Sequence, residues 1–530
     1  MATNKYNTVI VGGGIAGLTA AVYLARAGQK TMLIERNPDF GGLVSTFKRD
    51  GYQFEAGVRA LESAGIIIPM LEELGINLEF ARSKVSVGVE DKVLSIDNMA
   101  SIDQYRDMLV SIYPESADEL DTFLKMVLKV MKHLEVLYGI ENPAFKDLKK
   151  ETKYIFTKLL PWLPKFIFTV GKINRLNYPI EEYLEKTIKN RSLRDIISQH
   201  FFKGTPTFFA LSYFSLYLDY FYPKGGVGKL ADAVIDKYLE YGGELKPKTT
   251  ALEVNATEQY VIDHTGTKYQ YDNLIWAADL KTFYNVTDVS KLAPKTQTKF
   301  NTKKAEILKA NGSESVFSLY LEVDKPLSYF RDISNGHFFY TPLKEGLGEL
   351  HKSKLNHILE NWEAITKEEA LIWLDQYLTY NTYEISIPGL KDESLVPPNK
   401  SGLIVSFIIE FELFKKIKDN DWYDEFRSTI ENKMIDVLSN SIYPNLKEDI
   451  DNHFSFTPIS YKSRVASTDG AIVGWTMAES IPVRNHIQDS AKSVLTPIHN
   501  IFQAGQWAYS PAGVPMSILT GKLAADKIVK

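Results

Sequence analysis

The first apolar run, Thr8 to Val11, is short and β-branched. A run without polar alternation is the pattern of a strand covered on both faces. Leu18 to Ala27 follows as a helix packed on that strand, and Thr31 to Ile34 as a second buried strand. From about residue 100 to 220 the period becomes helical: Leu120, Phe123, Leu124, Val127, Met131 and Leu134 share a face, and Ser116 with Glu119 reads as a capping box. Strand and turn signals return after Tyr222-Pro-Lys-Gly-Gly: a helix, a strand over Thr250 to Asn255, a hairpin turn at Gly266 and a strand over Asn273 to Ala278. A second insert, from about 300 to 450, mixes strands such as Val316 to Val323 with a helix over Trp422 to Leu438. A strand from Asn500 and a helix from Ser517 to Ile528 close the chain. No internal repeat or low-complexity tract interrupts this order.

The polar positions between the first strand and helix carry chemistry. Gly12, Gly14 and Gly17 have G-x-G-x-x-G spacing: the first makes the tight turn, the second admits a pyrophosphate, the third lets helix and strand approach. The helix N-terminus offers unpaired N–H groups to that anion. Glu35 ends the second strand, where an acid accepts ribose hydroxyls. Strand before, helix after and acid in register point to dinucleotide binding.

Composition narrows the classes. A chain of 530 residues exceeds one core, so two or more domains are expected. A net charge of −5 offers no basic surface for nucleic acid. The absence of cysteine excludes disulfides, zinc–thiolate sites, Fe–S clusters and a redox-active Cys pair. The histidines form no metal-ligand pattern, so no metal is expected. Met1 to Tyr6 runs directly into the first strand, so the sequence reads as lacking a signal peptide, and no apolar run is long enough to span a bilayer. The expected location is cytoplasmic, with peripheral membrane association.

Five further motifs carry a resemblance. Glu35-Arg36-Asn-Pro-Asp-Phe-Gly41-Gly42-Leu43 is similar to the second FAD motif of the glutathione-reductase and amine-oxidase flavoproteins. Ala504-Gly505-Gln506-Trp507 to Gly513-Val514-Pro515 resembles the C-terminal FAD motif of the phytoene desaturase-like family, which includes carotenoid isomerases and retinol saturases. Gly51-Tyr-Gln-Phe-Glu55-Ala-Gly57, Tyr222-Pro-Lys-Gly-Gly and Gly-Ala-Ile-Val-Gly-Trp475 resemble that family's other signatures, in order along nearly the whole chain.

The resemblance implies an α/β fold, α+β overall. A Rossmann-like three-segment FAD domain (residues 1–85, 221–300 and 451–530) would carry an inserted helix-rich and mixed-sheet substrate domain (86–220 and 301–450). It implies FAD contacts from Gly12, Gly14, Ile15, Ala16, Gly17, Glu35, Arg36, Gly41, Gly42, Leu43, Gly57, Val254, Ala278, Gly505, Gln506, Gly513, Val514 and Pro515. An Arg often follows the family's Gly pair; Leu43 stands there, which leaves the phosphates to backbone amides. The implied reaction is hydride exchange between flavin N5 and a C–C or C=C bond of a lipophilic polyene or isoprenoid: desaturation, saturation or isomerisation. Glu55, Arg59, Tyr509 and Lys224 are the candidates for moving a proton. No second dinucleotide site is read.

Two alternatives stay open: an amine-oxidase-like or protoporphyrinogen-oxidase-like enzyme with a more polar substrate, and a non-catalytic FAD-binding protein. Phe209, Tyr213, Tyr217 and Tyr220 form an aromatic stripe read either as core or as the lining of a lipophilic channel. Tyr154 to Lys172 is apolar, aromatic and lysine-studded, with Pro161 and Pro164 expected to break it into short pieces. It reads either as a membrane-interface segment or as a buried helix pair.

Overall fold

The computed structural model describes residues 5–351 and 353–529. The reading of Met1 to Asn4 lies outside the described residues. The first strand, Lys5–Val11, pairs parallel with Thr31–Ile34 on one side and Lys268–Trp276 on the other. Parallel neighbours on both edges, with helices above, explain its continuous apolar run. Glu244–Lys246 extends the sheet beyond Thr31–Ile34, and Ile501–Gln503 pairs parallel with Leu274 to Trp276. Ala251–Asn255, Tyr260–Asp263 and Lys268–Trp276 form an antiparallel meander that turns at Gly266, whose φ is +80°. Three separated stretches of chain thus share one mixed eight-stranded sheet.

The first helix, Ile15–Arg26, begins three residues before Leu18 and packs against the closing helix, Val514–Val529. The approach is close: a Cβ at Gly521 would lie 2.3 Å from the Ala16 carbonyl oxygen.

A second sheet has seven strands, ordered Ile450–Phe456, Ser315–Val323, Ser401–Ile409, Tyr383–Ser386, His337–Thr341, Val85–Val89 and Lys92–Ile96. Its core includes Trp373 and Tyr377, Phe414, and Phe426 and Met434 from three covering helices. Two expected boundaries change. Residues 451–456, assigned above to the nucleotide domain, pair with Ser315–Val323 in this sheet. The boundary at 300 cuts the helix Pro294–Lys309, whose Phe300 and Ile307 pack with Val9 and Trp276 of the first sheet.

The helical insert buries Leu120, Phe123, Leu124, Val127, Met131 and Leu134 as the periodicity predicts. The capping box does not form. A 3-10 turn, Pro114–Ser116, leads into the helix Ala117–Leu137, leaving Ser116 at φ −98°, ψ 12°. A capping residue needs extended backbone. Glu119 instead accepts the Lys189 N–H at 3.0 Å. The prolines at 161 and 164 do not break their segment either. A π-helical turn at Ile155–Leu159 leads into the helix Leu160–Asn174. Pro161 is the second residue of that helix and Pro164 lies inside it, and the chain stays helical past both. Among the described residues no helix is long and apolar enough to cross a membrane.

Candidate active site

A cavity of about 650 Å³ opens where the strand ends of the first sheet meet both inserts. Its floor is the glycine turn. Gly12, at φ +109°, donates its N–H to Ile34 O at 2.9 Å, and a Cβ there would lie 2.6 Å from Ala277 O. Gly14 caps the first helix without a side-chain partner, and a Cβ there meets nothing within 4 Å. The unpaired N–H groups of that helix end therefore meet open space suited to an anion. Gly41, at φ +105°, donates to Gly13 O at 2.8 Å and brings the second glycine pair alongside. Glu35 is locked by two backbone donors: Gly13 N–H to Oε2 and Asn37 N–H to Oε1, both at 2.8 Å. A carboxylate has about four acceptor sites, so capacity remains for hydroxyls.

At the other end, Gly505 (φ +91°) donates to Thr520 Oγ1 at 2.9 Å, and Pro511 to Val514 lead into the closing helix. Beyond lies an aromatic wall of Phe201, Phe202, Phe209, Tyr213 and Tyr220. Successive rings of Phe209, Tyr213, Tyr217 and Tyr220 stand 5.5, 5.8 and 5.8 Å apart, edge to face. A smaller cavity of about 60 Å³ shares Phe201 and Tyr213 and continues toward Tyr105, Phe123 and Tyr217.

Of the residues expected at the cofactor, Gly12, Gly14, Ile15, Ala16, Glu35, Arg36, Gly41, Gly42, Leu43, Gly57, Ala278, Gly505, Gln506, Gly513 and Val514 line the cavity. Three do not. Gly17 packs instead, since a Cβ there would lie 1.9 Å from Gly12 O. Val254 is wholly buried between Val261 and Thr287, and Thr249, Thr250 and Ala251 supply that wall. Pro515 is buried in the closing helix.

The proton-transfer candidates are largely displaced. Glu55 is wholly buried behind the wall, accepting the Tyr222 hydroxyl. Tyr509 is buried outside the cavity, and Lys224 is exposed in an ion pair with Glu79. Arg59 does line the cavity, but three hydrogen bonds tie its guanidinium to the protein. Nη1 reaches Glu55 O at 2.7 Å, and Nη2 reaches Ser318 and Ser406 Oγ at 3.1 and 3.3 Å. Arg59 thus ties the Gly57 loop to the second sheet. Behind it Lys391, which donates to Arg59 O at 2.7 Å, is pushed down to about 8 by burial. Glu384 Oε1 lies 3.0 Å from His337 Nε2; burial acts to raise its carboxyl, but His337, Arg59 and Lys391 outweigh that and hold it low.

Sequence reasoning missed Glu62. It lines the cavity beside Gly513, and burial pushes its carboxyl up to about 7. Nothing local marks it: Leu61 is bridged to Phe221, and that distant pairing turns Glu62 inward.

The family described as "Flavin containing amine oxidoreductase" matches residues 15–529. The chain belongs to this family. It is an oxidoreductase, and its cofactor is FAD. This flavoprotein is 22% identical to the all-trans-retinol 13,14-reductase of Danio rerio, over 94% of this chain and 82% of that protein. It is 22% identical to the 4,4'-diapophytoene desaturase of Staphylococcus haemolyticus, over 98% of each. Among solved structures, putrescine oxidase bound to putrescine matches with a TM-score of 0.59 at 14% identity, covering 99% of each chain. The cyclohexylamine oxidase of Brevibacterium oxydans matches at 0.57 and 11% identity, covering 99% of this chain and 98% of that one.

The residues present fit FAD. Gly14 leaves the space a pyrophosphate needs, with the first helix's N-terminus and Gly42 beside it. Glu35 and Thr249 to Ala251 suit the adenosine end; Gly57 and Gly505 to Val514 suit the ring end. Arg36 and Arg59 are the basic side chains on the wall, so bound phosphates would rest chiefly on backbone donors.

Proposed function

We propose that this flavoprotein oxidises or reduces C–C and C=C bonds of a lipophilic polyene or isoprenoid. The observation that carries this reading is the aromatic wall. It runs from the FAD cradle at Gly57 and Gly513 along Phe209, Tyr213 and Tyr220, and the smaller apolar cavity continues it past Tyr217. Such a lining excludes water and holds an extended apolar chain without hydrogen bonds. The names of the relatives, a retinol reductase and a diapophytoene desaturase, support the same substrate class. When bound, FAD supplies the hydride acceptor or donor. The chain's own residues hold the substrate beside it, keep the site dry and orient it.

An amine substrate is the second reading, favoured by the carboxyls Glu62 and Glu384 on the cavity wall. Anaerobic mixing separates the two. Diapophytoene is expected to bleach the oxidised flavin, or all-trans-retinol to restore the dithionite-reduced one. Putrescine and cyclohexylamine are expected to leave it unchanged. Bleaching by the amines alone would overturn the polyene reading.

We also read the two sheets as an FAD domain and a substrate domain, and Thr152 to Asn174 as a membrane-surface contact. Phe156, Ile167 and Phe168 are 70%, 63% and 68% exposed, and Leu160 and Leu163 lie on the same ridge. Lys153, Lys158, Lys165 and Lys172 flank it, all exposed. An exposed apolar ridge with basic flanks suits an anionic bilayer surface better than a buried helix pair. The ridge helix packs on Ala117–Leu137, which packs in turn on Thr207–Asp219, bearer of the aromatic stripe. Replacing Phe156, Ile167 and Phe168 together by Glu is expected to lower co-sedimentation with anionic liposomes by about tenfold or more, since both apolar area and charge attraction are lost. Undiminished binding would count against the ridge.

A further inference from the structure

We infer that Glu62 is the group that takes up or returns the proton when a C–C bond is oxidised or reduced in this cavity. The inference rests on the reading of the cavity as a C–C redox site. Glu62 stands on the cavity wall, with Oε1 3.8 Å from the position a Cβ would take at Gly513, where the loop enters the closing helix. It therefore borders both the ring end of the FAD cradle and the aromatic wall.

Several other polar groups of the wall have protein partners. Arg59 is bound to Glu55 O, Ser318 and Ser406. Asp279 accepts the N–H groups of Thr282 and Thr468 at 2.8 and 2.9 Å. Glu384, 3.0 Å from His337 Nε2, is held low by His337, Arg59 and Lys391. Tyr213 and Tyr220 are pushed above their ordinary range by burial, too far to ionise near neutrality.

Among the described residues, no basic side chain acts on Glu62. The groups that do are its own backbone N–H, which favours the anion, and the exposed Asp219 at the end of the stripe helix, whose like charge disfavours it. Tyr138 and Tyr220, each just past a helix end, and Tyr213, in mid-helix, face it. A carboxyl without a counter-ion is a poor structural ion pair. Burial leaves it able to hold either state near neutral pH, which is what a proton-transfer group requires.

In the oxidising direction, with FAD bound as the two-electron acceptor, one C–H bond would break with its electron pair leaving as hydride. The neighbouring C–H bond would break with its proton passing to the Glu62 carboxylate, the electrons left behind forming the C=C bond. In the reducing direction protonated Glu62 would return that proton to one carbon, the bound reduced cofactor supplying the hydride for the other.

The test begins without substrate. FAD-loaded protein is titrated through neutral pH, following the infrared carbonyl band of protonated carboxyls together with the flavin absorption spectrum. The expected result is a band lost near pH 7, accompanied by a flavin shift, both absent in Glu62→Gln and moved in Glu62→Asp. A raised carboxyl pKa also means that folded protein binds this proton more tightly than unfolded chain. Wild-type stability should therefore fall relative to Glu62→Gln as pH rises from the ordinary carboxyl range to about 7, then level off. Anaerobic flavin bleaching by diapophytoene should slow by about a hundredfold or more in Glu62→Gln, lose its rise with pH, and be partly recovered in Glu62→Asp. An unchanged titration in Glu62→Gln overturns the inference, as does an unchanged bleaching rate. If the titration follows Glu62 but neither diapophytoene nor all-trans-retinol reacts in wild type, the substrate reading fails and takes the proton role with it.

Discussion

Gly14→Val is expected to purify colourless and to melt at the temperature of FAD-free wild type. The backbone at Gly14, φ −71° and ψ 173°, is open to any L-residue, and a Cβ there meets no protein atom within 4 Å. The added side chain instead enters the cavity at the N-terminus of the first helix, where the pyrophosphate must approach. FAD affinity should fall by at least about a hundredfold, or ~3 kcal/mol. The contrast with Gly12 is informative. A Cβ there would lie 2.6 Å from a backbone oxygen at a left-handed φ, so its substitution damages the fold and the site together. Thermal melting and bound-flavin absorbance, measured on the same sample, separate the two effects. A yellow Gly14→Val protein would contradict the placement of the phosphates.

Arg59→Leu is expected to be the most destabilising substitution on the cavity wall, with a loss of about 3–5 kcal/mol, the range for removing one partner from a buried charged network. The guanidinium is buried and binds Glu55 O, Ser318 Oγ and Ser406 Oγ. Without it those acceptors lose their charged donor and keep only the Tyr320 hydroxyl at Glu55 O and the Ser406–Ser318–Tyr461 hydroxyl chain, and Glu384 loses one of the positive charges that hold it ionised. The expected signature is a fall in unfolding midpoint, with flavin reduction retained in the fraction that stays folded. Full stability together with lost flavin reduction would instead assign Arg59 to the chemistry.

These two residues also show what the chain discloses by itself. The G-x-G-x-x-G turn, the Glu35 strand end and the Gly505 to Val514 segment are local: each needs only its neighbours in sequence, and each lines the cavity. Arg59 is not local, because its serine partners come from strands 259 and 347 positions away. Glu62 is hidden for the same reason. Val254 shows a different limit. The strand Ala251–Asn255 was legible, but the residue facing the site was not, because Val254 lies in mid-strand between two paired neighbours and the cavity meets the strand at its start. The edge strand Ile450–Phe456 escaped because Asp451, Asn452 and His453 break the apolar pattern expected of a strand. The capping box at Ser116 failed through a preceding 3-10 turn that no spacing rule detects.

The most direct test is a crystal structure of the FAD-loaded protein with diapophytoene. The flavin ring is expected between Gly57 and Gly505 to Val514, with the polyene lying along Phe209, Tyr213 and Tyr220 and its reacting carbons beside Glu62. A ring seated elsewhere, or an aromatic wall closed to the polyene while putrescine occupies the space beside Glu62, would contradict the account.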